Sequence, residues 1–116
     1  MHELSLVYSI VETVEQYAKE AHAKQVNSVK VRLGALSGVS KDALLFSYDI
    51  GAAGTILSGS TLEIEECPVA IFCLPCGQLR VLPGIQKFSC PECDTPSGDV
   101  RQGRELDIVS IEMEID

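Results

Sequence analysis

Cys73-Leu74-Pro75-Cys76 and Cys90-Pro91-Glu92-Cys93 put four thiols within twenty-one residues, as two Cys-x-x-Cys pairs separated by thirteen residues. Each such pair makes a tight knuckle that aims both sulfurs at one ion, and two knuckles complete a four-thiolate tetrahedral set. The ion predicted by this set is Zn(II). Gly77, Pro83-Gly84 and Gly98 supply the turns that a small two-knuckle ribbon requires. Two other readings compete, a set of disulfides and a thioredoxin-like redox motif. A redox motif needs one pair beside a βαβ unit, whereas two turn-rich pairs favour a metal.

A second set of ligands stands in Met1-His2-Glu3. Methionine before a residue as large as histidine is expected to be retained, and its α-amine deprotonates near neutral pH. From that amine an ion can take the Met1 nitrogen, the deprotonated His2 amide and the His2 imidazole, closing a five-membered and a six-membered ring. The fourth corner is open between the Glu3 amide nitrogen and the Glu3 carboxylate. Planar nitrogen-rich sets of this kind are what Ni(II) and Cu(II) prefer. The first four N–H groups of a helix lack intrahelical acceptors, so the His2 and Glu3 amides can be given to a metal without loss of a helical bond. On its own a terminal histidine is a weak signal, because any chain can begin Met-His.

The elements that must position these groups follow from periodicity. Leu4, Val7, Tyr8, Val11, Val14, Tyr17, Ala18 and Ala21 repeat as one face of an amphipathic helix, expected to run to Gln25-Val26-Asn27. His22 then reads as a residue of the helix C-terminus that favours the dipole. Val29, Val31 and Leu33 alternate with Lys30 and Arg32 as a strand stopped by Gly34. Ser40 is placed to cap a second helix, with Asp42 in its first turn; that helix presents Ala43, Leu44, Leu45, Phe46 and Tyr48 and ends before Gly51 and Gly54. Asp42 could serve as an extra oxygen ligand only if this helix start approaches the terminus. Ser60 to Cys67 reads as a strand with Leu62 and Ile64 inward. In the strand from Arg104 to Ile115, Leu106 and Ile108 have one parity and Val109, Ile111, Met113 and Ile115 the other. A bulge near Ile108-Val109 or burial on both faces would accommodate them.

The expected architecture is α+β: two helices packed on a small three-stranded sheet, with an inserted zinc-ribbon domain. Residues 1–68 and 101–116 are assigned to the α+β domain and 69–100 to the ribbon. The ribbon segment holds four of the five cysteines and four of the five prolines, and its apolar residues keep no regular period, so it depends on its ion for folding. Cys67, outside the pairs, reads as a partly buried thiol at the junction.

Nine basic against 17 acidic residues give a net charge of −8, the opposite of a nucleic-acid footprint. Met1-His2-Glu3 lacks the basic start of a signal peptide, and no stretch is long enough to span a bilayer. A cytoplasmic location is therefore expected, where cysteines bind metal rather than pair.

Five motifs in order resemble one family. They are Met1-His2-Glu3-Leu4-Ser5; Gly34-Ala35-Leu36-Ser37 with Leu45-Phe46; Leu62-Glu63-Ile64-Glu65 leading to Cys73-x-x-Cys76-Gly77; Cys90-Pro91-Glu92-Cys93; and Gly103-Arg104-Glu105-Leu106. Together they are similar to the HypA/HybF hydrogenase-maturation proteins over the whole chain. The resemblance implies a nickel metallochaperone rather than an enzyme. It implies Ni(II) at the amino terminus through His2 and neighbouring main-chain nitrogens, with Glu3 flanking the metal, and a structural Zn(II) on Cys73, Cys76, Cys90 and Cys93. The partners implied are a HypB-type GTPase and the precursor of the [NiFe]-hydrogenase large subunit, with no nucleic acid, no membrane, and a monomer or homodimer as the working form. Some family members have Pro-Glu where Lys41-Asp42 stands and histidines beside the cysteine pairs; here no histidine flanks either pair. The rival readings are a zinc-ribbon module for nucleic acid or protein interaction, and a redox protein using Cys73 and Cys76.

Overall fold

A computed structural model describes residues 3–116. In chain order the elements are α1 (Glu3–Glu20), β1 (Ala23–Gly34), α2 (Lys41–Ala52), β2 (Thr61–Cys67), β3 (Ala70–Cys73), β4 (Gln78–Val81), β5 (Val100–Gln102) and β6 (Leu106–Ile115). They form two three-stranded sheets, ordered β2-β1-β6 and β4-β3-β5. The fold is α+β, with the small sheet and the cysteine pairs lying in sequence between β2 and β6. The chain divides into two compact units. One takes the residues up to Val31, Val39–Glu65 and Asp107–Asp116; the other takes Arg32–Gly38 and Glu66–Leu106.

In the first unit, Val7, Ile10, Val11, Val14 and Ala18 form the buried stripe of α1. These positions keep the 3.6-residue period, and Ile10 enters the stripe where the simpler pattern had Tyr8. Tyr8 and Tyr17 are each 54% exposed, at the edges of the stripe where a phenol can keep its hydroxyl in water. The helix stops at Glu20, earlier than its Ala/Lys/Gln composition predicts. His22 adopts φ 56° and its N–H donates to the Lys19 carbonyl at 3.2 Å, so this residue takes the left-handed position that usually closes a helix. His22 therefore lies exposed in the turn, outside the helix, and β1 begins at Ala23. Val26 and Val29 are fully buried on that strand, and burying them in the sheet overrides the helix propensity of residues 23–27.

Ser40 caps α2, its Oγ accepting the Ala43 N–H at 3.3 Å, with Asp42 in the first turn as expected. Leu44 and Tyr48 point inward one turn apart, while Phe46 is 73% exposed. Gly51 does not end the helix. It is buried within it, and a Cβ there would strike the Val7 side chain, so its missing side chain is what lets α1 and α2 approach. Leu62 of β2 is buried and Glu63 and Glu65 are exposed, as the alternation requires. On β6 the residues packed against the core are Ile108, Ile111 and Met113. The change of parity after Ile108 is present, but Val109 and Ile115 face solvent, so the inward set is shorter than the alternation implied.

Tyr48 is the largest fully buried side chain, and its hydroxyl shares a 2.6 Å hydrogen bond with Ser60 Oγ. Burial raises the phenol above its ordinary value, which keeps it protonated. Tyr48→Phe is expected to leave Ser60 buried without that partner, lowering stability by about 1–3 kcal/mol in urea unfolding. An unchanged midpoint would show that the pair contributes nothing.

The second unit has a smaller core, Val69, Ile71 and Leu82, against which Leu36, Phe88 and Val100 pack. Residues 32–38 belong to it through backbone pairing: Gly34 N–H donates to Glu105 O at 2.8 Å, Ala35 N–H to Cys67 O at 2.9 Å, and Leu36 N–H to Gly103 O at 2.7 Å. A Cβ on Gly34 would collide with the Gly103 backbone, so glycine is required there by close approach. Cys67 is buried in this unit.

Candidate metal centre

The two knuckles are built alike. In the first, the Cys76 N–H donates to the Cys73 sulfur, and Gly77 turns the chain with φ 66° as its N–H donates to the Cys73 carbonyl at 2.8 Å. In the second, the Cys93 N–H donates to the Cys90 sulfur, and Asp94 turns the chain with φ 61° as its N–H donates to the Cys90 carbonyl at 2.8 Å. Asp94 thus does for the second pair what Gly77 does for the first. A short polar side chain tolerates the left-handed region because it bonds locally. Here its carboxylate accepts from Ser89 Oγ at 3.3 Å and pairs with Lys87 Nζ at 2.9 Å. The hairpin carrying the second pair is closed by the Ser89–Pro96 bridge and by Cys90 N–H donating to Thr95 O at 2.9 Å.

All four sulfurs lie within 4.8 Å of one another, with contacts of 3.5 Å for Cys73–Cys93, 3.7 Å for Cys76–Cys93 and 3.9 Å for Cys76–Cys90. A disulfide would need about 2.05 Å, so the pairs are not oxidised to one another. Four sulfurs at a Zn–S distance of about 2.3 Å stand at tetrahedron corners about 3.8 Å apart, which the three shortest contacts match. Among the described residues these four form the one cluster with metal-ligand geometry. The first cysteine of each pair is buried, at 0% and 1% exposure for Cys73 and Cys90, and Cys93 reaches the surface.

The electrostatics call for a cation. At Cys73 the Cys76 N–H favours the thiolate, but burial and the neighbouring thiols of Cys93, Cys76 and Cys90 outweigh it and push its pKa up to about 12. At Cys93 the Thr95 hydroxyl, 3.2 Å away, and the Thr95 N–H bring it down to about 6. Four crowded sulfurs cannot all ionise by themselves, and a divalent ion that holds them as thiolates removes that conflict.

Of the other residues singled out from sequence, Met1 and His2 lie outside the described residues. Glu3 opens α1 and is half-buried. His22, Asp42 and Cys67 are not part of the four-sulfur cluster. Periodicity did not find Thr95 or Asp94; the available signal was that Asp94 follows Cys93 as Gly77 follows Cys76. No described helix is long and apolar enough to cross a membrane.

A family model described as hydrogenase/urease nickel incorporation, metallochaperone, hypA matches residues 1–113. The hydrogenase maturation factor HypA of Roseiflexus sp. (strain RS-1) is 43% identical over 116 residues, covering 100% of this chain and 94% of the relative. That of Chloroflexus aurantiacus is 46% identical over 112 residues, covering 97% and 98%. The solution structure of the Ni metallochaperone HypA from Helicobacter pylori superimposes with a TM-score of 0.68 over the whole of both chains at 24% identity, which speaks to the fold alone.

Proposed function

The chain belongs to the HypA family, whose members act in nickel incorporation and hydrogenase maturation, and on that premise we propose that it carries Ni(II) as cargo and delivers it to the [NiFe]-hydrogenase large-subunit precursor. Nickel is taken through the Met1 amine, the His2 amide and imidazole, and the Glu3 amide or carboxylate. The observation that carries this reading is the family match from residue 1, which takes in all three. Glu3 is the first residue of α1, so its amide is one of those with no intrahelical acceptor and can be lent to an ion. Transfer is ligand exchange from this planar site to the acceptor, with a HypB-type GTPase as co-worker, and no covalent chemistry is performed on a substrate.

The four-cysteine centre holds Zn(II) as a structural ion. Its closed thiolate set leaves no open coordination position for a reaction, and zinc has no redox state to cycle. The ribbon of 69–100 is read as a zinc-stapled insertion into the α+β domain of 1–68 and 101–116, serving as a rigid docking element.

Nickel binding by isothermal titration tests the cargo site, using the chain that begins at Met1, His2→Ala, and a form extended by one residue before Met1. Both changes are expected to weaken binding about tenfold or more, because imidazole and amine are each one of four ligands. Equal affinity in all three would remove the terminal site.

A further inference from the structure

Arg80 occupies a position where a strand of this size would place an apolar residue. In the β3–β4 pair, Ile71 faces Arg80 and Cys73 faces Gln78. Directly opposed residues share a face, so Arg80 lies on the face of Ile71 and Cys73, both fully buried. Leu79 and Val81 take the other face and are 56% and 59% exposed. The apolar and charged residues of β4 are thus reversed relative to an ordinary half-buried strand. The Arg80 Nε is itself buried and has no hydrogen-bond acceptor. Its guanidinium lies against the sulfurs of Cys76 and Cys90, within the four-sulfur cluster that Cys73 completes.

A buried donor on a permanent cation is costly unless an anion receives it. Two other cations of this unit, Lys87 and Arg101, sit on Asp94 and Asp99. Arg80 has no carboxylate partner among the described residues. Four thiolates around a divalent ion carry a net charge of −2, and that charge is what an inward guanidinium can answer.

We propose that Arg80 is a positioning residue of the four-thiolate centre, its guanidinium donating to the metal-bound sulfurs of Cys76 and Cys90 and so retaining the ion in the ribbon. The inference rests on the reading that the four cysteines hold a metal. N–H···S bonds draw charge off the thiolates and make each sulfur a poorer target for protons, alkylating agents and competing ligands. Arginine suits the task because its planar fork reaches two sulfurs at once and cannot be deprotonated.

The test uses the full chain loaded with Zn(II), and in parallel with Co(II), in the unsubstituted form and as Arg80→Lys, Arg80→Gln and Arg80→Met. Zinc per chain is measured first; less than one ion in the unsubstituted protein would refute the metal reading itself. Transfer of zinc to a chromophoric chelator is then timed. Arg80→Gln and Arg80→Met are expected to release the ion about 10–100-fold faster, as loss of a hydrogen-bonding partner of a metal ligand does. Arg80→Lys is expected to recover part of the retention, and the cobalt–thiolate charge-transfer band is expected to move in the two neutral variants. Release within twofold of the unsubstituted protein, or lysine no better than methionine, would overturn the proposal, as would an unmoved cobalt band.

Discussion

Stripping the ion from Cys73, Cys76, Cys90 and Cys93 is expected to unfold β3 to β5 while α1 and α2 persist. The buried cluster of the unit that carries the cysteines is small, Val69, Ile71 and Leu82, and the strands β3 to β5 are three or four residues long. Such a unit gains most of its folding free energy from the metal, about 10–16 kcal/mol for structural zinc in small modules. With a chelator present, hydrogen exchange should accelerate at residues 70–102, while far-ultraviolet circular dichroism keeps its helical signal. Cys90→Ser, which replaces a buried ligand, should reproduce the effect without chelator. The first unit is expected to survive because its core draws on both helices and on β1, β2 and β6. Collapse of the helical signal along with the ribbon would refute this division and show one cooperative structure.

Leu44→Ala should lose about 2–5 kcal/mol of stability, a large share of the total for a domain of this size. Leu44 is wholly buried in the cluster formed with Val7, Val11, Val14 and Tyr48, and the close approach of α1 and α2 at Gly51 leaves little freedom to collapse into the cavity. Phe46→Ala, two residues along the same helix, is expected to change stability by no more than about 0.5 kcal/mol, because its ring is 73% exposed. Urea unfolding monitored on the helices gives both values. Equal losses for the two substitutions would contradict the orientation of α2. The contrast is informative because both residues are apolar and both lie on the periodic stretch from which α2 was anticipated.

The proposed function rests on two sites that differ in how they are made. At the four-cysteine centre the sulfurs come from the end of β3, the turn after it and a hairpin more than a dozen residues later, so a metal bound there would fix tertiary structure. The proposed nickel site is contiguous in sequence, so no distant segments would have to come together to form it. A chaperone needs both behaviours, one ion held and the other passed on. The role proposed for Arg80 would serve the first of these.

The cysteine pairs, their common ion site, the Ser40 cap and the alternation of β2 were determined by the sequence itself, because each depends on residues a few positions apart. The left-handed turns after Cys76 and Cys93 belong to the same class: Gly77 and Asp94 are local choices, and only the second was hard to see. What the sequence could not decide was every feature set by a distant partner. Residues 23–27 became strand rather than helix because Val26 and Val29 are buried in a sheet whose other members come from residues 61–67 and 106–115. Gly51 stayed inside α2 because Val7, forty-four positions earlier, fills the space a side chain would take. Arg80 carries no local signal at all, and only the β3–β4 register sets it on the face of Cys73. Local chemistry is written in neighbouring residues, but which face is buried, and what charge an inward side chain must answer, is decided only when segments far apart in the chain are packed together.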